Sequence, residues 1–291
     1  MSQTEPSQPN VTFADGASWP ALGLGTWRYG ESAAHRGAEE AALRRAFEIG
    51  YRVIDTAEMY ADGGAESVLG QALAGAQRAG ALRREDLFVV TKVYPHNAGR
   101  TALRKSCEAS LRRLGLDCID LYLLHWRGGV PLAETVAGFE ELRQRGAIAR
   151  WGVSNFDVED LRELAALDAG SRCAANQVYY SLGERGPEFD LLPWQRERRM
   201  PLMAYCPIDQ GALATHPVLR QVAARHGASA AQVALAALLA QDGVMSIPKS
   251  ADPTRLQENW DAQRLRLSAE DLAALGRAFP PPRRKQPLVM R

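Results

Sequence analysis

LFVVTK (Leu87–Lys92) runs through apolar, mostly β-branched residues without the alternation of a half-exposed strand, and it closes on a lysine. A strand buried on both faces belongs in a parallel sheet covered by helices. Working outward, YRVIDTA (Tyr51–Ala57) and IDLYLLH (Ile119–His125) read the same way. The strand within YRVIDTA stops at Asp55, with Tyr60 five positions on; IDLYLLH stops at His125. In a β/α barrel such strand ends converge on one face, where catalytic groups gather. An acid, a phenol, an ammonium and an imidazole then share one pocket, a set suited to proton donation to a carbonyl oxygen.

The rest of the chain repeats the pattern. Further strands are expected at Leu22–Leu24, Ala149–Val153, Ala175–Tyr179, Leu202–Cys206 and Val244–Ile247, with the first three runs giving Val53–Asp55, Leu87–Lys92 and Ile119–His125. Between them, Ala38–Ile49, Glu66–Ala79, Arg100–Leu114, Leu132–Arg145, Val158–Leu167 and Ala230–Gln241 carry helical periodicity. VTF, Asp15-Gly16 and SWP read as a hairpin ahead of the barrel. Two further helices are expected, His216–His226 after the seventh strand and Ser268–Gly276 near the end, beyond a helix at Asp252–Gln263; Ser268 with Asp271 is a cap signal. No low-complexity or Pro/Gly linker divides the chain. The expectation is α/β: a single (β/α)8 barrel over 11–280, a flexible tail over 1–10 and a proline-stiffened tail over 281–291.

At 291 residues, 46% apolar and net charge +1, the chain has ample core and no global field to attract nucleic acid or an anionic membrane. The N-terminal segment lacks the apolar core of a signal peptide, and the longest apolar stretch, Ala228–Ala240, is too short to span a bilayer. Four cysteines without CxxC or zinc spacing read as buried thiols in a reducing compartment, so a cytoplasmic protein is expected. Gly23, Gly25 and Gly30 do not have dinucleotide-loop spacing, no Walker A sequence occurs, and the five histidines contain no HExxH pair; no metal is expected.

Tyr60 is the candidate proton donor. A free phenol ionises near pH ~10, and Lys92 is expected to lower that value by stabilising the phenolate, while Asp55 holds the ammonium and partly cancels its field. His125 can aim the carbonyl by a hydrogen bond. Taken singly, each has an ordinary reading: a rim tyrosine, a capping aspartate, a solvated lysine, a buried histidine. Their convergence on strand ends reverses that weighting. None of them supplies a hydride, so carbonyl reduction needs a cofactor. SIPKS (Ser246–Ser250) followed by Arg255, Glu258 and Asn259 offers cations beside a helix start near Asp252, whose free amides favour an anion.

With these stretches in view, the chain resembles the aldo-keto reductase superfamily over nearly its whole length. The resemblance rests on GLGTW (Gly23–Trp27), DTAEMY (Asp55–Tyr60), TKVYPHNA (Thr91–Ala98), LHW (Leu124–Trp126), GVSNF (Gly152–Phe156), NQVYY (Asn176–Tyr180), AYCPI (Ala204–Ile208) and IPKS (Ile247–Ser250). It implies a barrel with NADPH extended over its C-terminal face, Tyr60 as general acid supported by Lys92 and Asp55, and His125 orienting the substrate. It also implies a carboxamide site at Ser154, Asn155 and Gln177, a stacking ring at Tyr205, and a pyrophosphate loop at Cys206, Ile208, Gln210 and Gly211. Gly25 and Thr26 join the cofactor set. Lys249, Ser250 and Arg255 match contacts to the 2′-phosphate, Glu258 and Asn259 contacts to adenine, and Trp27, Tyr94 and Trp126 the substrate pocket. Cys206 stands where serine is usual, and Asp209-Gln210 where small residues are common. The short WRGGVPL connection and C-terminal tail imply an open, loosely selective pocket, as in short-loop bacterial members that reduce methylglyoxal and similar aldehydes.

The expected function is therefore NADPH-dependent reduction of small aldehydes and ketones by a monomer. Two alternatives remain at this point: a non-catalytic NADP(H)-sensing interaction module, and a Schiff-base aldolase built on Lys92.

Overall fold

The computed structural model describes residues 8–291. Strands β1 (Asn10–Thr12) and β2 (Ser18–Pro20) form an antiparallel hairpin. Its turn is wider than a two-residue one: Phe13 N–H bonds Ala17 O, and Gly16 takes the left-handed φ of 88° that closes it. Most of the expected tail at 1–10 lies outside the described residues, and Asn10 already belongs to β1.

Eight parallel strands follow: β3 (Leu24–Gly25), β4 (Val53–Asp55), β5 (Phe88–Val93), β6 (Ile119–Leu124), β7 (Ile148–Ser154), β8 (Asn176–Tyr179), β9 (Leu202–Tyr205) and β10 (Val244–Ser246). They pair in sequence order, and parallel bridges Leu22–Ser246 and Gly25–Lys249 join the last to the first, closing the barrel. The hairpin plugs the N-terminal end, where Phe13 and Trp19 pack 5.4 and 5.1 Å from the Phe88 ring at the start of β5. The functional groups are thereby confined to the opposite face.

Helices α1 (Arg36–Ile49), α2 (Gly64–Arg78), α3 (Arg100–Leu114), α4 (Leu132–Gln144), α5 (Val158–Ala165) and α6 (Leu191–Glu197) cover the first six strands; α7 (Pro217–His226) is inserted before α8 (Ala230–Leu239), and α9 (Pro253–Asp261) and α10 (Ala269–Ala278) complete the chain. α7 and α10 are the two extra helices of the reading. The Ser268–Asp271 capping box opens α10, and Asp271 also ties it to Arg225 and His226 at the end of α7. The short α6 escaped the periodicity reading because it holds only seven residues, with Pro193 in its first turn. Among the described residues no single helix is long and apolar enough to cross a membrane.

The C-terminal segment does not trail away from the barrel. Lys285 lies 3.4–3.8 Å from Asp190, Asp157 and Glu159, and Leu288 packs on the core. Arg291 reaches Tyr205, donating its backbone N–H to the phenol oxygen at 3.3 Å.

Candidate active site

β4 and β5 are neighbours, with Asp55 opposite Val90. Lys92, two residues further along β5, therefore reaches back over the end of β4. Its ammonium is fully buried and meets three acceptors: Asp55 Oδ2 at 2.7 Å, the Thr56 carbonyl at 2.8 Å and the Tyr60 hydroxyl at 3.3 Å. Tyr60 is not itself on a strand end; it opens a tight turn at Tyr60–Gly63 in which Ala61, Asp62 and Gly63 take left-handed φ. Gln177, at the matching level of β8, donates to Asp55 Oδ1 at 2.7 Å, so both carboxylate oxygens are occupied.

Burial pushes the Asp55 carboxyl up and the Lys92 ammonium down from their ordinary values, and each charge opposes the other's shift. Burial also drives the Tyr60 phenol well above its ordinary value, and Asp55 and then Cys206 add to the rise. This corrects the expectation that Lys92 lowers it: an ammonium already matched by a carboxylate cannot outweigh desolvation. The phenol is thus a held proton, ready for a base stronger than itself. Lys92 has no exposed surface and all three N–H directions are taken, so no carbonyl can reach it; the aldolase alternative is set aside.

His125 follows β6, with its ring 5.9 Å from that of Tyr60, edge to face. Burial, then Lys92, lowers its pKa to about 2, so the imidazole is neutral. Nδ1 is buried and, among the described residues, has no partner. A bare nitrogen there is less costly than a buried N–H, which places the proton on Nε2, the nitrogen able to face a substrate.

Asn155, just past β7, adopts φ 61°, a left-handed conformation that asparagine tolerates. Its Nδ2 donates to His125 O and to Ser154 Oγ, and its Oδ1 accepts the Tyr205 hydroxyl at 3.0 Å. Ser154 in turn donates to Gln177 O at 2.8 Å. Ser154, Asn155 and Gln177 are therefore brought together at the barrel mouth, with much of their hydrogen-bonding capacity directed at one another, Asp55, His125 and Tyr205. Thr26 is fully buried and donates to Asp55 O, a supporting role that the motif did not reveal.

After Tyr205 the chain is bent by left-handed residues Cys206, Asp209, Gln210 and Gly211, with Ile208 between them. The bends are held from beneath: the Tyr179 hydroxyl donates to Asp209 Oδ1 at 2.5 Å, and the Tyr179 and Tyr205 rings stack 5.9 Å apart. Gln210 Nε2 lies 3.9 Å from Cys206 Sγ, and burial raises the thiol. Across the mouth, Lys249 and Arg255 are exposed and, among the described residues, have no carboxylate partner, although most arginines of this chain do. Two free cations at one helix start suit a phosphate. The free amides expected there are taken, however: Asp252 caps α9, accepting from Thr254 and Arg255 N–H. Ser250 Oγ accepts from Asp252 N–H, Glu258 is half-buried and Asn259 is buried on the same helix.

The remaining wall is aromatic. Trp126 lies 4.9 Å from His125 and 6.1 Å, edge-on, from Tyr94; Trp27, after β3, is 43% exposed with the Arg28 guanidinium over its ring. Only six residues, 125–130, separate β6 from Pro131, the residue before α4, so the expected short loop is present. Among the described residues no three His, Cys, Asp or Glu gather as metal ligands.

This constellation has relatives. The aldo/keto reductase family profile matches residues 21–278. The chain belongs to the aldo/keto reductase family. It is 49% identical over 288 residues to methylglyoxal reductase YeaE of Escherichia coli (strain K12), covering 97% of this chain and 99% of that protein. Two crystal structures of an aldo/keto reductase from Klebsiella pneumoniae, one with NADP and acetate and one with NADPH, each superpose with a TM-score of 0.93 at 47% identity, covering 98% of this chain and 100% of theirs. As a family member this chain is a carbonyl-reducing oxidoreductase, and a purely sensing module has no use for a complete acid–phenol–ammonium–imidazole set.

Proposed function

We propose that this aldo/keto reductase uses NADPH to reduce small aldehydes and 2-oxoaldehydes, methylglyoxal among them. The observation that carries the reading is the protonated Tyr60 phenol 3.3 Å from a buried, carboxylate-held Lys92. NADPH, when bound, supplies the hydride to the carbonyl carbon. His125 Nε2–H orients the carbonyl oxygen and stabilises the charge that develops on it. Tyr60 gives its proton to that oxygen, completing the alcohol. Lys92 stabilises the phenolate left behind, and Asp55, fixed by Gln177, keeps the ammonium in place.

The chain's own residues fit the cofactor. Tyr205 presents a half-buried ring whose hydroxyl bonds Asn155, with Ser154 and Gln177 grouped next to it. Cys206, Ile208, Gln210, Gly211 and the close approach at Gly25 form the middle of the path, and Lys249, Ser250 and Arg255 would hold a 2′-phosphate, with Glu258 and Asn259 toward adenine. Trp27, Tyr94 and Trp126 bound the substrate. The free cysteines Cys107 and Cys173, both pushed up to about 12 by burial, suit a reducing cytoplasm.

The test is NADPH consumption with methylglyoxal. Tyr60→Phe is expected to lower kcat by about a hundredfold or more while NADPH still binds, read by quenching of protein fluorescence. Undiminished turnover in this variant would refute the assigned acid.

A further inference from the structure

Glu58 lies two residues before Tyr60, is 8% exposed, and among the described residues forms no ion pair. One carboxylate oxygen, Oε1, takes two donors from the next strand's loop: the backbone N–H of Tyr94 at 2.7 Å and the Asn97 side-chain amide at 3.2 Å. The Glu58 backbone N–H donates to Lys92 O at 3.3 Å. This residue therefore joins the turn that carries Tyr60 to the loop that leaves the Lys92 strand.

What it holds is the aromatic side of the pocket. Pro95–Asn97 is a single helical turn with few bonds of its own, Asn97 N–H to Tyr94 O and Ala98 N–H to Pro95 O. Tyr94 packs on His96 at 4.7 Å and meets Trp126 edge-on, and Trp126 lies against His125. On its other side the turn abuts Gly128, where any β-carbon would collide with Pro95. Burying a carboxylate without a cation costs desolvation energy. The bonds it makes are charge-assisted, roughly twice as strong as neutral ones, and both act on the segment carrying Tyr94.

We propose that Glu58 is a positioning residue that sets the Tyr94–Trp126 wall, and through it the selectivity for bulky aromatic aldehydes over small ones. The proposal rests on the carbonyl-reduction reading above. A small substrate held at Tyr60 and His125 meets little of that wall, whereas one with an aromatic ring must lie along it.

Steady-state kinetics with methylglyoxal and with 4-nitrobenzaldehyde separate the two. Glu58→Ala is expected to raise KM for 4-nitrobenzaldehyde about tenfold, the equivalent of one lost charge-assisted bond. Its kcat with methylglyoxal and its KM for NADPH should stay within about twofold, and Glu58→Gln, which keeps the acceptor, should restore KM to within about threefold of the parent. Asn97→Ala, which removes one arm and leaves the carboxylate in place, should raise the aromatic KM by a few-fold and tests the idea even if Glu58→Ala fails to fold. Equal changes for both aldehydes, no change in the aromatic KM, or a Gln variant as impaired as Ala would overturn the proposal. Absence of turnover by the parent protein with either aldehyde would instead overturn the reading beneath it.

Discussion

Lys92→Met removes the ammonium from a site that has no exposed surface. Asp55 Oδ2 and the Thr56 carbonyl each lose their donor at 2.7 and 2.8 Å, and Tyr60 loses its neighbouring charge at 3.3 Å. Breaking a buried pair by deleting one partner costs about 3–5 kcal/mol. For a chain of 291 residues each kcal/mol lowers Tm by roughly 2–4 °C, so a fall of roughly 6–20 °C is expected in differential scanning calorimetry. Removing Lys92 leaves desolvation as the main influence on Asp55, whose carboxyl is already raised. The folded state then holds a proton that the unfolded state has released, so this contribution to the variant's stability is full below the ordinary carboxylate range and is lost as pH rises from that range through the raised value of the folded state. The deficit should accordingly be smaller at acid pH than at neutral pH. A double variant, Lys92→Met with Asp55→Leu, replaces the pair by apolar groups and should regain most of the lost stability, yet kcat should stay about a hundredfold to ten-thousandfold below the parent. An unchanged Tm in the single variant would refute the buried pair. Recovery of turnover in the double variant would refute its catalytic role.

Further outcomes follow from the electrostatics. Because burial holds His125 neutral, with a pKa of about 2, kcat/KM should show no acidic limb near the ordinary histidine value between about pH 5.5 and 7.5; a limb there that disappears in His125→Asn would show an imidazolium instead. For a depressed histidine the unfolded chain takes the proton first, so stability falls as pH drops below about 6.5, and His125→Asn should flatten that part of the melting profile. Arg255→Ala should raise KM for NADPH about tenfold or more while leaving KM for NADH within about twofold; equal loss for both cofactors would place the 2′-phosphate elsewhere.

The fold and the meeting of Asp55, Lys92 and Tyr60 were legible for the same reason. Strands buried on both faces are continuous apolar runs, and a polar group that ends such a run stands out against it. Asp55, Lys92 and His125 each sit at or beside such a stop, and the order of runs and helices dictated a barrel whose strand ends share a face. Strand limits shifted by a residue or two: β3 begins at Leu24 where the run began at Leu22, and β9 stops at Tyr205 because Cys206 turns left-handed.

Periodicity and motif order could name the barrel, its closing face and the residues gathered there, because each is written within a dozen consecutive positions. They could not name the bonds among those residues. Gln177 bonds Asp55 from 122 positions away, Arg291 caps Tyr205 from 86, and Glu58 reaches Tyr94 across 36. Such contacts depend on how the barrel closes and how its loops fold back, which no local pattern encodes. The Tyr60 phenol shows the difference most plainly. The convergence of strand ends indicated a nearby ammonium and thus a lowered pKa, whereas the folded site shields the ring from water and pairs that ammonium with Asp55, so the proton stays on the oxygen.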